Sequence, residues 1–339
     1  MTGGSSGAIP FSVLDLSPIV EGAEATQALA NTLDLARHAE SLGYRRYWIA
    51  EHHNMPGIAS AATSIVIAHV AGGTRTMRVG SGGIMLPNHS PLVIAEQFGT
   101  LASLYGERID LGLGRAPGGD QITARALRRD LMSSGDAFPR DVVELQMYFE
   151  SPPGQAIRAI PGAGLKVPIW LLGSSLFSAQ LAAMMGLPFS FAAHFAPDLL
   201  LQALSIYRER FEPSKFLQRP YVMPCISVVV ADSDEEARYQ ASSHQQSFAQ
   251  LRRGQPSKLP PPRRDIDHLL SPEERAMVEH TMRYACIGGS DTAAQKLREF
   301  LRLTRADELM VNVHLFDQAA RRRSLTLTAA IRDSIASDQ

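Results

Sequence analysis

Only two cysteines, Cys225 and Cys286, occur in 339 residues. They are too few for a disulfide framework and read as reduced thiols. An excess of either charge is also missing: the formal net charge is −1, so no overall field draws the chain to nucleic acid or to an anionic membrane. The most apolar stretches, "ISVVVA" and "LAAMMGLPFSFAA", are short or interrupted, well below the length that spans a bilayer. The start, "MTGGSSGAIP", has neither a basic region nor an apolar one and does not read as a secretory signal. A cytoplasmic protein is the expectation. No G-x-G-x-x-G follows a strand-like run, and Ser174 and Ser175 lie at the start of a helix rather than in a G-x-S-x-G elbow, which speaks against an open dinucleotide-binding sheet and a serine hydrolase. The hydrophobic content, 45%, is ample for a sizeable core, and at 20% charged residues the chain does not resemble a disordered one.

The hydrophobic pattern alternates between two kinds of segment. Short apolar runs, "FSVLDLS" (11–17), "YRRYWIA" (44–50), "MRVGSGGIML" (77–86) and "RIDLGLG" (108–114), are each followed by a longer stretch with helical spacing. In the first of these Leu29, Leu33, Ala36 and Leu42 share a stripe that Gly43 can close, and Pro91 opens another. Further runs at 167–175, 187–196, 223–232 and 308–316 bring the strands to eight. Repeated strand–helix units predict an α/β protein with a parallel sheet, and eight of them favour a (β/α)₈ TIM barrel over an open doubly wound sheet. A single domain over 9–337 is expected, with insertions after strands four and seven. The second insertion contains "LPPPRR", and Arg252, Arg253, Arg263 and Arg264 make it locally basic. It reads either as a solvated loop or as a cationic lid over an anionic ligand, residues 252–283 being the lid.

In a barrel the site lies at the C-terminal ends of the strands. The residues there are polar, rich in glycine and poor in paired carboxylates. "EHHN" after strand two raises the question of a metal, but neighbours on an extended chain face opposite sides, so only one histidine can reach the mouth. His89, His194 and His314 are scattered possible ligands, and no metal is expected. "LLGSSLFSAQ" reads as an anion site in which Gly173 permits close approach and Ser174 and Ser175 offer donors at a helix N-terminus, or as a plain helix cap. Arg115 in "GLGRAPGG" can stand beside the same anion. Gly80, Gly82 and Gly83 inside a strand imply a flat ligand against the backbone, or a backbone shape that Cβ atoms would forbid. A planar ring with a phosphate tail would account for the glycines and the anion corner together.

The stretch from "YWIAEHHNMPGIASAATSIVIAHV" through "GSGGIMLPNHSPLVIAEQF" to "RIDLGLGRAPG", with "FSVLDLSPI" before it, resembles the bacterial luciferase-like flavin-dependent monooxygenases, in particular their luciferase-like oxidoreductase subgroup. The likeness is dense over 9–120, continues through "LLGSSLFSAQLAAMMGLPFSFAAHFAP", and is thin across the proline-rich insertion. It implies a barrel that takes reduced FMN as cosubstrate from a separate NAD(P)H:flavin reductase, uses O₂ to oxygenate a small organic substrate, and acts as a homodimer. By position, His52 falls on the family's catalytic base, Gly82 and Gly83 on a pair joined by a non-prolyl cis peptide beneath the flavin, and Arg115 and Ser174 on phosphate contacts. Leu113–Gly114 replaces a segment that carries a reactive cysteine in luciferase, which weakens any case for light emission. Residues 252–283 coincide with a mobile loop of the family. Leu16, Met85 and His194 are the candidate substrate-side residues, within an apolar pocket that also includes Leu14, Ile84, Leu86 and Phe195. For Glu51 two roles stand open, orienting His52 or pinning its loop to a backbone N–H; His53 reads as structural. Two alternatives remain: hydride transfer with the deazaflavin F420, and a flavin-binding protein without turnover.

Overall fold

Short strands with strict alternation, each followed by a helix, decide the architecture. The computed structural model describes residues 9–116, 121–127 and 137–337; residues 1–8 and part of the stretch expected as an insertion after strand four lie outside them. The strands are β1 (Phe11–Asp15), β2 (Arg46–Ile49), β3 (Arg78–Met85), β4 (Ile109–Gly114), β5 (Ile169–Gly173), β6 (Phe189–Phe191), β7 (Cys225–Val230), β8 (Cys286–Gly288) and β9 (Leu309–Asn312). They form one sheet in the order β6-β5-β4-β3-β2-β1-β9-β7-β8, with every strand pairing parallel. Two further parallel bridges, Phe189 to Val222 and Ala192 to Cys225, draw β6 back towards β7, so the sheet curls upon itself.

Helix boundaries follow local chemistry. Helix Ala25–Ser41 ends where Gly43 takes a φ of +73°, a left-handed position open to glycine at little cost. Helix Pro91–Tyr105 begins on its proline, whose missing N–H has no partner to lose there. One strand escaped the sequence reading. Cys286–Gly288 pairs with Val228–Val230 of β7 and leads into helix Ser290–Thr304, so the long segment between β7 and β9 contains a βα unit of its own. At three residues, it offers no measurable apolar period.

Inward side chains stack in layers. Near the N-terminal ends of the strands Arg46 is wedged between Asp110, at 2.7 Å, and Glu308, at 3.0 Å. Arg78 reaches the other oxygen of Asp110 at 2.6 Å, Tyr221 donates to Glu308 at 2.8 Å, and Ser12 donates to Glu308 as well. Burial would raise the Asp110 carboxyl, but the Arg46 and Arg78 charges outweigh it and hold it below the usual carboxylate range. Above this layer Leu14, Trp48, Trp170, Met223 and Met310 pack together, with the two tryptophan rings edge to face at 5.2 Å. The outward face of the sheet carries the larger core against the helices.

Removing one partner of a buried charged pair strands the other. Asp110→Ala is therefore expected to lower stability by about 3–5 kcal/mol, read as a drop in the urea midpoint at unchanged slope. A loss within experimental scatter would show that this layer contributes nothing.

Candidate functional site

Toward the C-terminal ends the inward positions become small, and a cavity opens. Its lining comes from the strand ends: Leu14 and Leu16; Ala50, Glu51 and His52; Leu172 with the turn through Ser175; and Ser190, Ala192 and His194. Gly82, Gly83 and Gly114 sit between, and Cys225, Met310 and Phe195 complete the wall. The space measures about 240 Å³. It exists because glycine, alanine and serine stand where larger side chains would fill the barrel.

The glycine pair turns the strand. The register between β3 and β4 shifts between Ser81 and Ile84, and the Gly82–Gly83 peptide is cis. A Cβ on Gly82 would come within 2.6 Å of Leu14 Cδ1, and one on Gly83 within 2.8 Å of the Gly112 carbonyl oxygen. Of the two explanations open from the sequence, the second holds at Gly83, where the neighbouring backbone leaves no room for a side chain, whereas at Gly82 the obstacle is the tip of the Leu14 side chain. The shift also reverses the alternation beyond it, as a bulge does. Met85 lines the cavity, whereas Ile84 and Leu86, expected in the pocket, are buried in the outer core.

Across the cavity stands a polar corner. Helix Leu176–Met184 starts at Ser175, whose side chain does not cap it. Its first amides are thus unsatisfied by any cap and carry the positive end of the helix dipole. Arg115 stacks on Phe177 in the first turn, its guanidinium carbon 4.4 Å from the ring centroid. A fixed cation, two serine hydroxyls and the backbone at Gly173 therefore share one wall with the cavity. This donor set suits an anion.

Glu51 sets where the histidines after β2 face. Its Oε1 accepts from His53 Nε2 at 2.7 Å and from His89 Nε2 at 2.8 Å, and its Oε2 accepts the Met85 N–H at 3.1 Å. Burial pushes the carboxyl up, but these bonds and the His89 charge hold it below its ordinary value. Glu51 thus pins the loop to the end of β3 and does not orient His52. The alternation sends His53 to Glu51 and His52 into the cavity. Ligand atoms of Glu51, His53 and His89 do lie within 4.8 Å of one another, a grouping the sequence reading missed because Glu51 and His89 come from different loops. The His52 ring sits in a desolvated place that lowers its pKa, opposed by the Glu51 charge and reinforced by His53. Burial drives His194 further, to about 3.

Three of the arginines after β7 are engaged by carboxylates. Arg253 pairs with Glu274 at 2.6 Å, Arg263 with Asp265 at 2.9 Å, and Arg264 with Glu235. The same segment clasps the loop after β1, where Leu259 N–H donates to the Ile19 carbonyl and the Glu21 N–H to the Leu259 carbonyl, each at 2.9 Å.

Comparison with known proteins places this geometry in context. The model of the luciferase-like monooxygenase family matches residues 9–308. A luciferase-like monooxygenase of Escherichia coli K12 is 54% identical over 328 residues, covering 96% of this chain and 98% of the relative. Among solved structures, apo-MsnO8 superposes with a TM-score of 0.90 at 34% identity, covering 96% of this chain and 98% of that one. The oxygenating constituent of 3,6-diketocamphane monooxygenase from Pseudomonas putida, solved with FMN, shares the fold with a TM-score of 0.71 at 18% identity, over 95% of this chain and 97% of its own.

Because the Glu51 charge opposes the burial of His52, Glu51→Gln is expected to lower the His52 pKa further. Imidazole titration by ¹⁵N NMR reads this directly. A midpoint that stays put, or rises, would contradict the electrostatic coupling.

Proposed function

The chain belongs to the luciferase-like monooxygenase family, and from that premise we propose that it is an FMN-dependent monooxygenase that uses reduced FMN and O₂ to oxygenate a small organic substrate. The observation that carries this reading is one cavity that brings together the Arg115–Ser174–Ser175 corner, the Gly82–Gly83 backbone and His52. The residues fit a planar, phosphate-tailed group: a stacked cation and uncapped helix amides at one end, and side-chain-free backbone at the other. Reduced FMN, when bound, supplies the electrons and the centre at which O₂ reacts.

The protein's own part follows from its side chains. Arg115, Ser174, Ser175 and the Gly173 backbone hold the phosphate. Gly82 and Gly83 let the ring lie close. Leu14, Leu16, Leu172 and Met85 exclude water, which strengthens every remaining electrostatic contact. His52, neutral near pH 7 because burial lowers its pKa, is ready to take a proton from the substrate at a ring nitrogen. Leu16, Met85 and His194 border the substrate's side.

On the same reading reduced flavin arrives from a separate NAD(P)H:flavin reductase in the cytoplasm, and residues 252–283 move as a lid on the single domain of 9–337. Among the described residues no helix is long and apolar enough to cross a membrane. A homodimer would cover Ile65, Val93 and Leu104, which stay exposed on helices Thr63–Gly73 and Pro91–Tyr105.

The phosphate assignment is tested with FMN and riboflavin, which differ only in that group. Arg115→Met is expected to weaken FMN binding about 10- to 100-fold, the value of a charge-assisted contact, and to leave riboflavin binding unchanged, both read by fluorescence quenching. Equal losses for the two ligands would remove the phosphate from this corner. Tight binding of F420 with none of FMN would instead make the chain a hydride-transfer enzyme.

His52→Ala is expected to cut product formation about 100-fold or more, the usual reach of a general base, while sparing FMN affinity. Product analysis under a reductase couple, across aldehydes, amines and ketones, is the measurement. Full product yield from the variant would end the base assignment. Bound flavin that consumes O₂ without product from any substrate would favour a flavin-binding protein without turnover.

A further inference from the structure

Among the described residues four carboxylates are buried: Asp15, Glu51, Asp110 and Glu308. A buried charge is sustained by an opposite charge or by a coordinated metal. Three of the four have an arginine. Asp15 meets Arg321 at 2.7 Å, Asp110 meets Arg46 at 2.7 Å, and Glu308 meets the same Arg46 at 3.0 Å. Glu51, with its side chain only 1% exposed, has no arginine or lysine within ion-pairing distance among the described residues. It has the imidazoles of His53 and His89 instead.

The three groups converge as ligands do. Glu51 and His53 stand two positions apart in the loop after β2, and His89 follows the turn Leu86–Asn88 that ends β3. Both rings present the tip nitrogen, Nε2, to the same oxygen, Glu51 Oε1, at 2.7 and 2.8 Å. The rings are splayed, not stacked, with centroids 6.5 Å apart and planes at 49°. One ligand atom from each residue lies within 4.8 Å of the other two. Glu51 Oε2 accepts the Met85 N–H at 3.1 Å, the kind of outer contact that orients a ligating carboxylate. The His53 and His89 side chains are 14% and 27% exposed, so one side of the group is open to water and to an incoming ion.

We propose that Glu51, His53 and His89 bind a divalent transition-metal cation at the rim of the cavity, clamping the loop after β2 to the end of β3. Two imidazoles and a carboxylate suit zinc and its first-row neighbours, whereas magnesium and calcium favour oxygen ligands. The ion supplies the positive charge that Arg46 or Arg321 brings to the other buried carboxylates. It takes the place of the two N–H···O hydrogen bonds. Zinc holds nitrogen at about 2.0–2.1 Å and carboxylate oxygen at about 2.0–2.2 Å, which sets tetrahedral ligand atoms roughly 3.4 Å apart. Each N···O separation therefore opens by roughly 0.6 Å to admit it. Each ring binds through its Nε2 lone pair after the proton there is exchanged through water for one on Nδ1, so the ring stays neutral and no net proton is released. Water completes the coordination on the open side. The clamp does not depend on flavin, because His52 faces away from the ion.

Zinc titration of the whole protein, stripped by a chelator and free of flavin, tests the site by calorimetry. One equivalent is expected to bind. His53→Gln and His89→Gln are each expected to weaken binding by more than about 100-fold, beyond the loss on removing an outer contact. His280 also meets a carboxylate, Asp198, at 2.7 Å, but on the open surface; His280→Ala is expected to bind zinc as the wild type does. Absence of binding in the wild type, or wild-type affinity in the variants at 53 and 89, would overturn the site. ¹⁵N spectra of histidine-labelled wild type give the same answer without any variant that must fold. On adding zinc, His53 and His89 are expected to pass from the Nε2–H to the Nδ1–H tautomer. Rings at 53 and 89 that zinc leaves unmoved would show that protons alone close the group, and would overturn the proposal.

Discussion

One buried carboxylate organises the mouth of the barrel. Glu51 receives His53, His89 and the Met85 amide, and so ties the loop after β2 to the end of β3. A carboxylate this far from water survives only when its lone pairs are occupied, and each charge-assisted bond offsets part of the desolvation cost. The consequence is geometric. With Glu51 and His53 committed to the knot, the intervening residue must face the other way, and His52 is delivered to the cavity. The same knot fixes Met85, the first inward side chain beyond the register shift.

Space for a ligand has a separate origin. Below, the barrel is closed by Arg46, Asp110 and Glu308 and by the tryptophan layer above them. Higher up, the inward positions fall to Ala50, Gly82, Gly114, Ser190 and Ala192, and the same alternation that packs the lower layers leaves the upper one open. Gly82 and Gly83 add a turn in β3, and at Gly83 the neighbouring backbone leaves no room for a side chain. Rigid floor and open top are thus two ends of one pattern, which is what a site built on strand ends requires.

Much of this was legible in the sequence, for identifiable reasons. The βα rhythm, the glycine-closed first helix and the proline at the start of helix Pro91–Tyr105 depend on local chemistry that a single chain displays. So did the split between His52 and His53, because adjacent residues on an extended chain must diverge. What escaped depended on register and on distant partners. The shift at Gly82–Gly83 took Ile84 and Leu86 out of the lining and left Met85, already expected there, in it. The strand Cys286–Gly288 was too short to show a period. The arginines at 253, 263 and 264 read as a solvated loop or a cationic cover alike, and the sequence did not show which carboxylates each one meets.

The central claim is that a phosphate-tailed flavin spans this cavity from Arg115 to the glycine pair. A crystal structure of the protein soaked with FMN tests it most directly. The account predicts density for the phosphate beside Arg115, Ser174 and Ser175, with the ring lying on Gly82 and Gly83 and one edge toward His52. Flavin density in any other cavity, or a phosphate turned away from Arg115 toward solvent, would contradict it.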